Sequence, residues 1–210
     1  MDIRETIVEA SLKLLREQGF AALSQPRIAA GAGVRQSHLT YYFPARADLL
    51  LAVANRSCEV LLAPLHEKAR RGDLTPDHIA ERLGAAVTDV GMARIFHTLV
   101  SVSEEDVSLK PQMARLQRDS VHDLRELFGG AGLRLTEDEG LILHALICGT
   151  STMCLCKGTP AARREAREVL RNVVRMLVEK HAGAPAAKKT PPSRARKARA
   201  KKTPKRAAKG

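Results

Sequence analysis

Arg35, Gln36, Ser37, His38, Thr40 and Tyr41 stand in one run broken only by Leu39, and their donors and acceptors suit the reading of base edges or the gripping of phosphates. Wound as a helix, the run turns Val34, Leu39 and either Tyr42 or Phe43 inward and leaves the polar side chains outside. Arg46 supplies a further cation just beyond. A helix that enters the major groove needs this division, with polar groups toward the bases and apolar ones toward a partner helix. The chemistry predicted is recognition of double-stranded DNA. Ser24, Arg27, Arg35, Gln36, Ser37, His38, Thr40, Tyr41, Tyr42 and Arg46 are the residues expected at the duplex.

Reactive side chains elsewhere are sparse. Cys58, Cys148, Cys154 and Cys156 lack the paired spacing of a zinc site and are too few for a disulfide framework, so reduced thiols are expected. His144 and Cys148 lie one helical turn apart and could share a metal, and Cys154 with Cys156 could sense redox state. The latter two would point to nearly opposite sides of a helix, so packing is the favoured role. No phosphate loop, nucleophile-base pair or metal-ligand spacing is visible, so neither an enzyme nor a cofactor is expected.

The elements that must hold the polar run can be read from caps and periodicity. Ile3, Ile7, Ala10 and Leu14 recur at helical spacing over 2–18, Gly19 ends that helix, and Leu15 and Phe20 extend its buried side. Ser24 as N-cap and Pro26 in the first turn start a second helix to about Ala32. Gly33 interrupts it, Val34 plugs the corner, and a third helix runs over 36–42 before Phe43 and Pro44. Two short helices joined by a glycine turn make a helix-turn-helix.

A long helix then follows from Arg46, with Pro64 as a potential kink, to about Gly72. Thr75-Pro76 opens the next, Gly91 separates it from a more apolar one, and the acidic cluster 104–106 reads as a loop. Lys110-Pro111 opens and Gly129-Gly130 closes another helix. Thr136 and Glu139 form a capping box ahead of an apolar helix that Lys157-Gly158 ends. Thr159-Pro160 caps the last, with Val169, Val173, Met176 and Leu177 as its stripe. The fold class is all-α, with about nine helices.

Of 210 residues 44% are apolar, enough for a packed core, and only 3% are aromatic. The net charge of +12 is concentrated. Lys188, Lys189, Arg194, Arg196, Lys197, Arg199, Lys201, Lys202, Lys205, Arg206 and Lys209 fall in 183–210 with no acid among them. Taking these 11 from the 35 cations leaves 24 against 23 acids, so the rest is nearly neutral. A segment rich in Ala, Lys, Arg and Pro cannot bury enough surface to fold, so a disordered tail that binds DNA without selecting sequence is expected. A solubilising tail, or one for other polyanions, is the alternative. Asp2, Glu5 and Glu9 are unlike a secretory start, and the apolar stretches 49–54 and 141–149 are shorter than a bilayer span. No membrane partner is expected, and the protein should be soluble and intracellular.

From 4 to 53 the sequence resembles the N-terminal domain of TetR-family (TetR/AcrR type) regulators. Gly19-Phe20, Ser24, Ile28-Ala29, Ala32-Gly33-Val34, Leu39, Tyr42-Phe43, Arg46 and Leu49-Leu50 stand in the family's order. It departs at Thr40, where a tyrosine touching phosphate is usual, at Ala45, where a small polar cap is usual, and at Gly31 in the second helix. The 183–210 tail resembles the Lys/Ala/Pro-rich tails of histone-like proteins.

The resemblance implies a DNA-binding domain over 1–46, a ligand-binding and dimerisation domain over 47–182 and the basic tail. It further implies a homodimer in which helices 136–156 and 160–181 form a four-helix bundle with their copies. Two reading heads about 34 Å apart would then require a near-palindromic operator. An unknown small-molecule effector would release a repressor from that operator, in the bacterial cytoplasm at the nucleoid. Met92, Phe96, His97 and His122 lie where its cavity would sit, although an ordinary core or surface role is favoured for each histidine. The competing expectation is an architectural, mainly nonspecific DNA-binding protein dominated by its tail.

Overall fold

Capping residues set most of the boundaries in the computed structural model, which describes residues 2–182. The described residues contain nine α-helices and no strand. They are α1 (Ile3–Gln18), α2 (Gln25–Ala32), α3 (Gln36–Tyr42), α4 (Arg46–Arg71), α5 (Pro76–Val87), α6 (Val90–Glu105), α7 (Lys110–Gly130), α8 (Glu137–Lys157) and α9 (Pro160–Ala182). Thr75 accepts the His78 backbone N–H at 3.3 Å, and Thr159 accepts that of Ala162 at 3.1 Å. Each hydroxyl satisfies a donor that the helix start would otherwise orphan.

Buried residues gather in two clusters. One joins α1, α2, α3 and the first half of α4 to Ile95 and Leu99 of α6 and to Leu109 and Leu116. The other joins Leu62 and Leu65 of α4 to α5, α7, α8 and α9. Helix α4 passes through both, so the helix-turn-helix is fastened to the body along one continuous rod.

Several boundaries differ from the sequence expectation. The break expected at Gly91 falls at Thr88 and Asp89, because the Asp89 carboxylate accepts the Met92 N–H at 3.1 Å and starts α6 there. Gly91 is instead a contact residue: a Cβ on it would lie 3.0 Å from Cδ1 of Leu15 in α1. Glu104 and Glu105 finish α6, and only Asp106 of the acidic cluster leaves it, capping a 3-10 turn at Val107–Leu109. A second 3-10 turn, Phe20–Ala22, was not foreseen.

In α9 the buried stripe is Ala162, Ala166, Leu170 and Val174, against α5. The expected stripe lies beside it: Val169, Val173 and Leu177 are half-buried and Met176 is 65% exposed. Helix α8 is apolar on all sides yet buries little more than Leu143, Thr150 and Cys154 with its first turn, leaving Leu141, Ile142 and Met153 in solvent. Length does not exclude a membrane span as expected, since α4 and α8 both reach the length and hydropathy of one. Helix α4 nevertheless gives Leu49, Leu50, Val53, Leu62 and Leu65 to the protein interior.

Glu139 locks the start of α8 to the end of α9. Its carboxylate accepts the Thr136 N–H at 2.8 Å, closing the expected capping box, and also meets Lys180 Nζ at 2.8 Å and His181 Nε2 at 3.1 Å. The Lys180 hydrogen bond foremost, then the Thr136 N–H, lowers its pKa from an ordinary 4.5 to about 2. A depressed carboxyl contributes stability above its unfolded value and loses it as the pH falls through the folded one. Glu139→Gln is therefore expected to cost about 1–3 kcal/mol near neutrality. Its loss of stability on acidification below about pH 4.5 should also be flatter than that of the parent. Urea unfolding at neutral and acid pH measures both. The tail, and its expected disorder, lies outside the described residues.

Candidate nucleic-acid interface

The turn between α2 and α3 depends on Gly33, whose φ of 65° and ψ of 27° lie in the left-handed region. There its N–H bonds Ala30 O at 3.1 Å while the Val34 N–H reaches back to Ala29 O at 3.0 Å. Space is not the constraint, since nothing lies within 4 Å of where a Cβ would stand. Gly33→Ala is expected to cost about 1–2 kcal/mol through backbone strain alone, read as a lowered thermal midpoint.

Helix α3 is held on the first core by Leu39, which is 1% exposed, and by Phe43 just after it. Val34 and Tyr42 are half-buried against that core, so Phe43 is the principal inward aromatic and Tyr42 keeps only part of its surface free. Arg4 of α1 places its guanidinium 5.0 Å from the centre of the Phe43 ring.

Opposite this face, Arg35, Gln36, Ser37, His38, Thr40 and Tyr41 are all exposed, and Ser24, Arg27 and Arg46 are exposed on the flanking helix starts. The stretch 18–47 contains Arg27, Arg35 and Arg46 and no acid, so this surface carries net positive charge.

The exposed residues differ in how free they are. Arg27 donates to Gln18 Oε1 at 2.8 Å, tying α2 to α1, and the guanidinium of Arg46 sits 5.8 Å from the Phe20 ring centre. The Thr40 hydroxyl is occupied by the carbonyls of Gln36 at 3.3 Å and Ser37 at 3.1 Å. Ser24 stands at the N-cap of α2 without a capping bond from its hydroxyl. At the start of α4, where Ala45 lacks a polar cap, Asp48 accepts the Ala45 N–H at 3.4 Å. Tyr41, 78% exposed, meets Tyr42 edge-on. Gln36 Nε2 donates to Gln25 Oε1 at 3.2 Å, bringing in a residue that the sequence reading did not single out.

The effector candidates do not converge. Met92 and Phe96 pack half-buried against the first core, His97 is exposed with Nε2 3.1 Å from Thr152 Oγ1, and His122 is exposed on α7. A cleft of about 330 Å³ lies where α1 meets α6, between Leu15, Arg16, Asp89 and Arg94. Another of about 200 Å³ lies between α8 and α9. None of the four candidates lines either.

Less conspicuous polar groups sit inside the body. Ser57 Oγ of α4 is buried without a hydrogen-bond partner. Its neighbour Cys58 has its pKa pushed up to about 11, by burial first and then by the charge of Asp123. Burial also raises the Asp123 carboxyl of α7, against the opposing influence of His66 and His122. Small polar residues inside the apolar stripe of α4 were the signal that could have pointed there.

Cys148 Sγ lies 3.6 Å from His144 Nε2, and burial raises the thiol while lowering the imidazole. Two ligands alone do not complete a tetrahedral site. Among the described residues no group of three or more His, Cys, Asp or Glu is arranged to hold a metal. Cys154 is buried and Cys156 exposed, on different sides of α8.

Residues 7–53 match the family model described as "Bacterial regulatory proteins, tetR family". The HTH-type transcriptional regulator RutR of Escherichia coli (strain K12) is 37% identical over 73 residues, which is 35% of this chain. That match spans only 34% of the relative's own length. A TetR transcription regulator from Haloarcula marismortui superposes with a TM-score of 0.57 at 18% identity, over 83% of this chain and 97% of that one. The multidrug binding protein EbrR complexed with ethidium does so with a TM-score of 0.55 at 23% identity, over 82% and 98%. The likeness is to the DNA-binding domain of tetR-family regulators for 7–53, and to the fold of these proteins for most of the described chain.

Proposed function

We propose that this chain is a DNA-binding transcriptional regulator of the TetR family, acting as a homodimer that represses from a near-palindromic operator and is released by a small molecule. The observation that carries this reading is α3 itself: an acid-free polar surface held outward on a glycine turn, inside the segment that matches the family model. Residues 1–46 are the reading head, 47–182 the effector and dimerisation body, and 183–210 a basic tail that adds affinity without selecting sequence. The site of action is the bacterial cytoplasm, at the nucleoid.

The apolar side chains that α8 and α9 leave in solvent support the dimer. Leu141, Ile142, Met153 and Met176 are all more than two-fifths exposed, on the two helices that would meet their copies. Large apolar side chains left in solvent on two adjacent helices are what a second copy would cover. Release by a small molecule is supported by the EbrR complexes with ethidium and proflavin, which show this fold holding such ligands. The orphaned Ser57 hydroxyl is a polar group that an effector in the body would satisfy.

The second reading, an architectural binder, is kept for one reason: the 11 cations of the tail outnumber those on the reading face. Footprinting the full chain on genomic fragments separates the two. A regulator protects one symmetric site whose halves lie about one helical turn apart. An architectural protein gives diffuse protection that vanishes as salt rises.

A further inference from the structure

We propose that Gln25 is a positioning residue for base readout, holding the side-chain amide of Gln36 in an orientation that reads an A·T pair. The inference rests on the regulator reading above. Gln36 stands at the first position of α3 and Gln25 at the first position of α2, and the bond from Gln36 Nε2 to Gln25 Oε1 is 3.2 Å. It is a side-chain tie from one helix of the reading unit to the other.

A glutamine side chain alone on a surface rotates freely, and turning its amide over exchanges its donor and acceptor. With one Nε2 hydrogen committed to Gln25, Gln36 retains one N–H and the Oε1 for the groove. That pair complements the N7 acceptor and N6 donor of adenine. Thr40, one turn along, does not compete, because its hydroxyl is engaged by the Gln36 and Ser37 carbonyls. Arg27, also in the first turn of α2, is engaged by Gln18. Both glutamines are exposed, so neither is needed to hold the core together.

The test selects bound sequences from random DNA with the full chain and with Gln36→Ala, Gln25→Ala and Gln25→Glu. Gln36→Ala should lose preference at one A·T pair in each half-site. Gln25→Ala should weaken preference at that same pair by about 5- to 10-fold. Its thermal midpoint and the salt dependence of its binding to nonspecific DNA should match the parent. Gln25→Glu keeps the accepting oxygen and should retain the preference, whatever its added charge does to total affinity.

An unchanged Gln25→Ala selection from a parent that still picks its palindrome would overturn this proposal alone. So would a change at a pair that Gln36→Ala does not affect, or a uniform loss of affinity with selectivity intact, which would mark Gln25 as a phosphate contact. A parent without any preference overturns this proposal and the regulator reading together.

Discussion

Ile142→Glu is expected to yield a folded monomer that no longer holds a palindromic operator. Ile142 is 59% exposed on α8, so the substitution removes nothing from either core. In a twofold assembly through α8 and α9 the same position would be buried twice, and a carboxylate taken into an apolar interface without a partner is strongly disfavoured. In the proposed dimer operator binding is bivalent, each head raising the effective concentration of the other. Loss of the dimer should therefore weaken it by about a hundredfold or more. Sedimentation and operator titration measure the two effects together. Val107→Glu provides the contrast: Val107 is 65% exposed but lies in the turn before α7, and its replacement should leave both measurements unchanged.

Ending the chain at Ala182 is expected to produce the other large effect, and one of a different kind. The segment removed carries 11 cations and no acid. If every one met a phosphate, the slope of log K against log salt would lose about 10 per chain, an upper bound because partial engagement releases fewer counterions. Affinity at low salt should fall by orders of magnitude, while the sequence selected stays the same. A truncated chain with the parent's salt slope would show that the tail does not touch DNA.

How much of this was legible in the sequence depended on whether a signal was local. The capping box of Thr136 and Glu139, the glycine turn at Gly33 and the proline starts at Pro76 and Pro160 all act within one helical turn, and the structure has each of them in place. Gly91 misled because a glycine that ends a helix and one that admits a neighbour look alike in one dimension. Its actual role is to let Leu15 of α1 approach, and Asp89 does the capping.

The last helix misled for a related reason. It carries two adjacent apolar stripes, and the interior took Ala162, Ala166, Leu170 and Val174, where the two alanines, and Gly84 on the α5 side, let the helices come close. The outward polar set of α3 was legible because it needs only the helical period. Its internal ties were not, since the bonds from Gln36 to Gln25 and from Arg27 to Gln18 depend on how three helices meet. The effector candidates follow from position along the chain, whereas the buried side-chain oxygen left without a hydrogen bond among the described residues belongs to Ser57.

Helix α3, presented twice by a symmetric pair, should select a DNA sequence without help from the tail. Selection from random DNA at moderate salt, using the chain ending at Ala182, tests it most directly. Enrichment of one near-palindrome whose half-sites are about one helical turn apart is expected. Recovered DNA with no preferred sequence, from protein that is folded and dimeric, would contradict it.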